Sequence, residues 1–237
     1  MPTIPILPSQ LVVTTILNSI ESLGLANIAG QVFSGEQADS RQEVNLKVTA
    51  RKFYTQGLKN LKQQDLHGAI KNFTVTININ PQFASAYSYR GLVRYKLGYK
   101  QSAIEDLTTA IELNPYRANY YTNRGFMLTR LKDYTEAIAD YNSALLLNPN
   151  LTQAYFNRGA IRLQMENSLA ALADFESAIR LDRDFAKAYF NRGVTRYKLR
   201  EVQGAFEDFQ KAAGLFKQQG RIDSYRDAVS KIRKLWY

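Results

Sequence analysis

Three sets of side chains in this 237-residue chain recur at spacings that could do chemistry. Asparagines stand at Asn123, Asn157 and Asn191, 34 residues apart each time. A primary amide can donate to one peptide group and accept from another, so such a row suits an extended peptide and reads its backbone rather than its sequence. Helix-turn and inter-unit bonding is an equal use for the same amides. Arginines stand at Arg90, Arg124, Arg158 and Arg192, and each is followed sixteen residues later by an aspartate, at Asp106, Asp140, Asp174 and Asp208. Both members change together in the earliest copy, to Gln56 and Asn72, so the economical reading is a structural pair joining two helices. One exposed pair of this kind adds about 0–1 kcal/mol. The third set flanks the asparagines. Tyr54, Phe156 and Phe190 come one residue earlier, and Tyr89 holds the asparagine place in an earlier copy. Leu92, Phe126 and Val194, then Tyr95 and Tyr197, then Lys62, Lys96, Arg130 and Lys198 follow along the same segments. Together they describe an aromatic, partly apolar groove with a basic edge, in which half of the aromatics are expected to be inter-helix core.

Catalytic chemistry has little to work with. The chain has no cysteine and one histidine, His67, whose setting Asp65-Leu66-His67-Gly68 reads as the turn before a helix. Thiolate chemistry, disulfides and Cys-based metal sites are excluded. No phosphate-cradling glycine loop, metal-spaced cluster or nucleophile–base pair is present, so no enzyme, metal or cofactor is expected.

The elements that must hold these rows follow from glycine. Gly57, Gly91, Gly125, Gly159 and Gly193 are spaced by 34 residues, and a fixed period of this length signals stacked repeats. In residues 152–185, Tyr155, Gly159, Arg162 and Leu163 fall at helical spacing, as do Ala171, Phe175, Ala178 and Ile179, with Asn167 fit to cap the second set. Each unit is therefore expected to be two antiparallel helices of about 14 residues, marginal alone and dependent on neighbours. A mid-helix glycine costs about 1 kcal/mol against alanine, and its recurrence implies a close helix–helix approach. Ala69, Ala103, Ala137, Ala171 and Ala205 are the expected small partners. Pro81, Pro115 and Pro149 end three units, and the units lacking this proline could have a longer second helix. Residues 73–80 alternate like a strand, but the register of the repeat predicts a helix there.

The ends differ. Residues 1–33 are apolar, with no charge before Glu21 and no Lys or Arg before Arg41. They fit neither a secretory signal nor a membrane span, and Ser9 could cap a short helix over about 10–23. Residues 34–43 read as a polar linker. Residues 220–237 carry an apolar stripe of Ile222, Tyr225, Ala228, Val229, Ile232 and Leu235 with basic residues opposite, as a solvating last helix would. The net charge of +10 is uneven: Arg41 and Lys47 against Glu21, Glu36, Asp39 and Glu43 leave −2 on residues 1–49 and +12 on the rest. A basic body favours acidic partners without choosing among protein, nucleic acid and membrane.

The spacing aromatic, Gly, Ala, aromatic, Ala, Pro within 34 residues closely resembles the tetratricopeptide repeat. Five units fit: 50–83, 84–117, 118–151, 152–185 and 186–219, after an N-terminal segment and linker of 1–43 and before a capping helix of 220–237. The resemblance departs most in the first unit, where Thr76 replaces the second alanine, and tyrosine or phenylalanine replaces the family's frequent tryptophan. It implies an all-α, right-handed superhelical solenoid of antiparallel helix pairs. It also implies a non-enzymatic adaptor or assembly factor that binds a protein segment in a concave groove lined by each unit's first helix. The groove set is then Asn123, Asn157, Asn191, Tyr54, Tyr89, Tyr95, Phe126, Phe156, Phe190, Tyr197, Lys62, Lys96, Arg130 and Lys198. The clamp that chaperone-binding members use for C-terminal carboxylates is matched only in part, at Asn157, Lys187 and Asn191. Expected partners are an acidic or apolar protein or peptide, or the chain's own N-terminal segment in cis or in a dimer. The alternatives are nucleic acid bound by the basic array, and membrane-surface attachment through residues 1–33. The expected location is cytoplasmic.

Overall fold

The computed structural model describes residues 36–235, with side chains from Gln42 onward. The expectations for the apolar segment 1–33, including the helix capped by Ser9 and its docking in the groove, lie outside the described residues. Eleven helices and no strand occur among those described. They divide into two compact units between Asn114 and Pro115.

The first unit holds α1 (Glu36–Lys62), α2 (Leu66–Ile79), α3 (Ala84–Lys96) and α4 (Lys100–Leu113). Most of the stretch read as a linker is helical, because α1 starts at Glu36. No glycine or proline follows Gly35 in that stretch, and Lys47 pairs with Glu43 one turn away at 2.7 Å. The strand-like stretch lies in α2, as the register requires. Phe73, Val75, Thr76, Ile77 and Ile79 are all buried, so apolar residues cover more than one face of that helix. Thr76, in the alanine place, donates to the carbonyls of Asn72 at 2.9 Å and Ala50 at 3.3 Å, binding α2 to α1.

The second unit holds α5 (Ala118–Leu131), α6 (Tyr134–Leu147), α7 (Thr152–Gln164), α8 (Ser168–Leu181), α9 (Ala186–Lys198), α10 (Val202–Gln218) and α11 (Ile222–Lys234). Tyr141, Phe175, Phe209, Met127 and Ile161 are its largest fully buried side chains. Ala228 of α11 is buried with Ala186, Ala212, Ala213, Leu215 and Phe216, and Tyr225 and Val229 pack against them.

Each helix pair closes by the same turn. Gln64, Gly98, Lys132, Glu166 and Arg200 all have positive φ, at 62°, 89°, 66°, 61° and 68°. The next amide then reaches back to a carbonyl in the last turn of the preceding helix, as in Asn167 to Arg162 at 2.8 Å and Tyr99 to Arg94 at 2.9 Å. Asp65, Asp133 and Asn167 then cap the second helix by accepting from the amide three residues on.

What stops the second helices is not proline alone. α8 lacks the proline yet ends in register at Leu181, whereas α10 runs to Gln218. Asn80, Asn148 and Asp182 each accept from the amide two residues on, at 3.0, 3.0 and 2.9 Å. This side-chain turn competes with the helix. Phe216 stands at the matching place in α10 and offers no such acceptor.

The glycines do mark close approaches. A Cβ on Gly91 would lie 2.9 Å from the Ala103 carbonyl oxygen and 3.2 Å from the Asp106 Cβ. On Gly159 it would lie 3.0 Å from both the Asp174 Cβ and the Phe175 ring. The expected alanines are fully buried, but the atoms that exclude a side chain belong to the carbonyl, the aspartate and the ring opposite.

Candidate functional site

The charged residues nearest the glycines are committed to the stack. In the first unit Arg90 grips Asp106 with two bonds, Nη2 to Oδ1 at 2.7 Å and Nε to Oδ2 at 3.0 Å. In the second unit Arg124 holds Asp140 at 2.8 and 2.9 Å, and Arg192 holds Asp208 at 2.7 and 2.9 Å. Arg158 holds Asp174 at 2.6 and 3.1 Å. The aspartates are only 2–4% exposed, so these are buried ion pairs rather than the surface pairs assumed from sequence. The bonds to Asp140 raise the Arg124 guanidinium above its ordinary pKa against the opposing effect of burial.

Sequence reasoning missed a second arginine on each aspartate. Arg94 reaches Asp106 at 2.9 Å, Arg162 reaches Asp174 at 2.9 Å and Arg196 reaches Asp208 at 3.0 Å. Their 34-residue spacing was the available signal, broken by Leu128 in the third repeat. The pair also binds neighbouring repeats: Arg158 Nη1 donates to Asn142 Oδ1 at 2.6 Å, and Arg90 Nη1 to Thr74 Oγ1 at 3.3 Å. Tyr87, Tyr155 and Tyr189 lie under Arg90, Arg158 and Arg192, each with its ring centre 5.5 Å from the guanidinium carbon. In the first repeat, neutral groups take over. Gln56 and Asn72 both donate to Asn60 Oδ1, at 3.1 and 3.2 Å, and the Asn60 amide donates to Asp65.

The asparagine row is not uniform. Asn157 donates to the Tyr141 hydroxyl at 3.2 Å and accepts from the Gln153 amide at 2.7 Å, so both ends of its amide are engaged. Burial raises the Tyr141 phenol above its usual pKa. Asn123 and Asn191 are half-buried, and Asn191 faces an open cleft.

The aromatics divide between core and surface. In the first unit Tyr54 packs on Phe83 at 4.8 Å, and both Tyr54 and Tyr89 lie 5.9 Å from Phe73. Tyr95 is half-buried, while Lys62 and Lys96 are exposed. In the second unit Phe156 packs on Phe185 at 4.9 Å, and Phe190 packs on Phe209 at 5.6 Å and Phe216 at 6.4 Å. Phe126 is 42% exposed with Arg130 stacked over its ring at 5.7 Å. Tyr197 is 50% exposed, and Arg130 and Lys198 reach solvent.

Three predicted residues converge on one cleft of about 160 Å³ in the second unit: Phe156 from α7, and Phe190 and Asn191 from α9. Lys187 of α9 joins them, with Phe216 of α10, and Arg221, Ser224 and Asp227 from the start of α11. The repeat pattern stops short of α11, so the pattern of the rows gave no sign of that wall. Among the described residues, no cluster of His, Cys, Asp or Glu could hold a metal ion, and no helix is long and apolar enough to cross a membrane.

Comparison with known proteins follows this geometry. Tetratricopeptide repeat family models match residues 84–117, 118–151 and 156–220, which together exceed half of the chain. No curated protein matches. Among solved structures, MamA is 22% identical with a TM-score of 0.65, over 70% of this chain and 96% of that one. PilF of Pseudomonas aeruginosa is 21% identical with a TM-score of 0.65, over 81% of this chain and 94% of that one. YrrB, described as a TPR protein with an unusual peptide-binding site, is 20% identical with a TM-score of 0.64, over 76% and 92%. These likenesses fix the fold as an all-α helix-pair solenoid.

Proposed function

Because the chain belongs to the tetratricopeptide repeat family, a family of interaction scaffolds, we propose that it is a non-enzymatic protein-binding scaffold. Its second unit holds an extended partner segment along the first helices of the repeats. The observation that carries this reading is the cleft on which Phe156, Phe190 and Asn191 converge. Phe126 and Tyr197 add exposed aromatic surface on α5 and α9, and Arg130 and Lys198 add charge. Asn123 and Asn191 are the amides left to meet peptide groups, each such bond contributing about 1 kcal/mol. Asn157 is spent inside the stack. YrrB's peptide binding is a property of that protein, and it supports the reading only as a precedent on the same fold.

The test is selection of a phage-displayed library of random twelve-residue peptides on the full chain. Selected peptides are then measured against an Asn123→Ala/Phe126→Ala/Asn191→Ala variant whose melting is checked in parallel. Loss of binding with unchanged melting supports the groove. Equal binding to the variant, or no selected peptide, refutes it. Weak dependence on salt is expected, and a steep loss of binding with salt would instead indicate a polyanion such as nucleic acid.

A further inference from the structure

We infer that the cleft walled by α7, α9 and α11 takes one acidic side chain of the bound segment, with a neighbouring aromatic or large aliphatic side chain seated on its phenylalanines. This rests on the groove reading above and names the chemistry of one place in it.

Size comes first. Small-molecule pockets usually hold about 300–1,000 Å³. This cleft holds about 160 Å³, room for one or two side chains rather than a metabolite. Its apolar part is Phe156, Phe190 and Phe216, one from each of three helices.

Charge decides what accompanies the apolar group. Each arginine of the repeat pattern is neutralised by its buried aspartate, as Arg158 is by Asp174 at 2.6 Å. Lys187 and Arg221 are different: both line the cleft, both are exposed, and neither forms an ion pair among the described residues. Arg221 is nevertheless held in place, its guanidinium carbon 5.1 Å over the Phe216 ring. A guanidinium so placed keeps its in-plane N–H donors for an oxygen acceptor. The cleft therefore offers a fixed cation, a mobile cation and an aromatic floor within one side chain's reach.

Asp227 lines the same cleft and pairs with neither cation. It leaves the local balance at +1. That balance suits a single carboxylate and disfavours a doubly charged phosphate or a run of acidic residues. Asn191 and Ser224 add neutral polar groups for the peptide backbone beside it.

The experiment uses the same phage selection, in which the displayed peptide is fused at its C-terminus and presents no free terminal carboxylate. Peptides with Asp or Glu beside Phe, Trp, Tyr, Leu or Met should be enriched on the full chain. As synthetic peptides they should bind a Lys187→Gln/Arg221→Gln variant at least roughly tenfold more weakly, the loss of one charge-assisted contact or more. The same peptides should bind Asp227→Asn more tightly, because that change removes a like charge. Replacing the acidic residue with Gln should cost as much as the double variant, and replacing it with phosphoserine should not restore binding. Selected peptides lacking an acidic residue, or acidic peptides indifferent to both variants, would overturn the inference while leaving the groove reading intact. A selection with no binders would overturn both.

Discussion

Two glycine-to-alanine changes should move stability in opposite directions, because the propensity gain is the same and the space is not. Alanine favours a helix interior by about 1 kcal/mol over glycine. Gly214 lies inside α10, exposed, with nothing within 4 Å of the position a Cβ would take. Gly214→Ala should therefore stabilise by about 1 kcal/mol. Gly91 lies inside α3, where the added carbon would sit 2.9 Å from the Ala103 carbonyl oxygen. That oxygen belongs to the backbone of α4 and can yield only if the helix moves. Movement is opposed by Asp106, whose Cβ is 3.2 Å from the same point and whose carboxylate is held by Arg90 and Arg94. Overpacking of this kind costs about 1–3 kcal/mol, so Gly91→Ala should come out neutral to about 2 kcal/mol destabilising. Urea unfolding followed by helical circular dichroism measures both, with a shift in midpoint at unchanged slope as the readout. If Gly91→Ala stabilised as much as Gly214→Ala, the close approach would not be what keeps glycine there.

Asp174→Ala should cost about 3–5 kcal/mol, because it strands Arg158 and Arg162 without a counter-charge. Asp140→Ala should cost less, since Leu128 stands where a second arginine would be, and the two midpoints in urea give the order. Glu166→Gly should stabilise by roughly 1 kcal/mol by relieving a left-handed backbone at φ 61°, and Gly98→Ala should lose a similar amount, both read by thermal melting. Burial raises the Tyr141 phenol, so folding favours its neutral form. The resulting stability is complete below the unfolded value of about 10 and disappears as pH rises through the higher folded value. Melting between about pH 8 and 12 should thus fall less steeply for Tyr141→Phe than for the unchanged chain, and parallel curves would contradict the sign.

The helices were legible because the period repeats whatever any one helix prefers. Residues 73–80 show it: local alternation pointed to a strand, yet Gly57, Phe73 and Pro81 kept the register, and burial on several faces explains the misleading pattern. The Arg–Asp pairing was legible from covariation with Gln56 and Asn72 inside the chain. Its burial was not, because a spacing carries no information on solvent. Arg94, Arg162 and Arg196 escaped because Leu128 interrupted their row. The helix stops were read from proline, whereas the shared feature is the side chain at Asn80, Asn148 and Asp182. Within the candidate site, type and spacing picked out Phe156, Phe190 and Asn191. Nothing in a 34-residue pattern could supply Arg221, Ser224 and Asp227, which belong to a helix outside it.

Phe216 ties these threads together. It occupies the place where earlier second helices carry a stop, so α10 continues for another turn, and its ring becomes floor to the cleft and a seat for Arg221. The cleft thus arises from how the array terminates and cannot be produced by repetition. Duplicating an internal repeat would lengthen the array and multiply its ion-pair staples, yet still leave a single cleft. Grafting α10 and α11 onto another array of this kind would carry the cleft's cationic wall with it, so the terminus is a transferable recognition module.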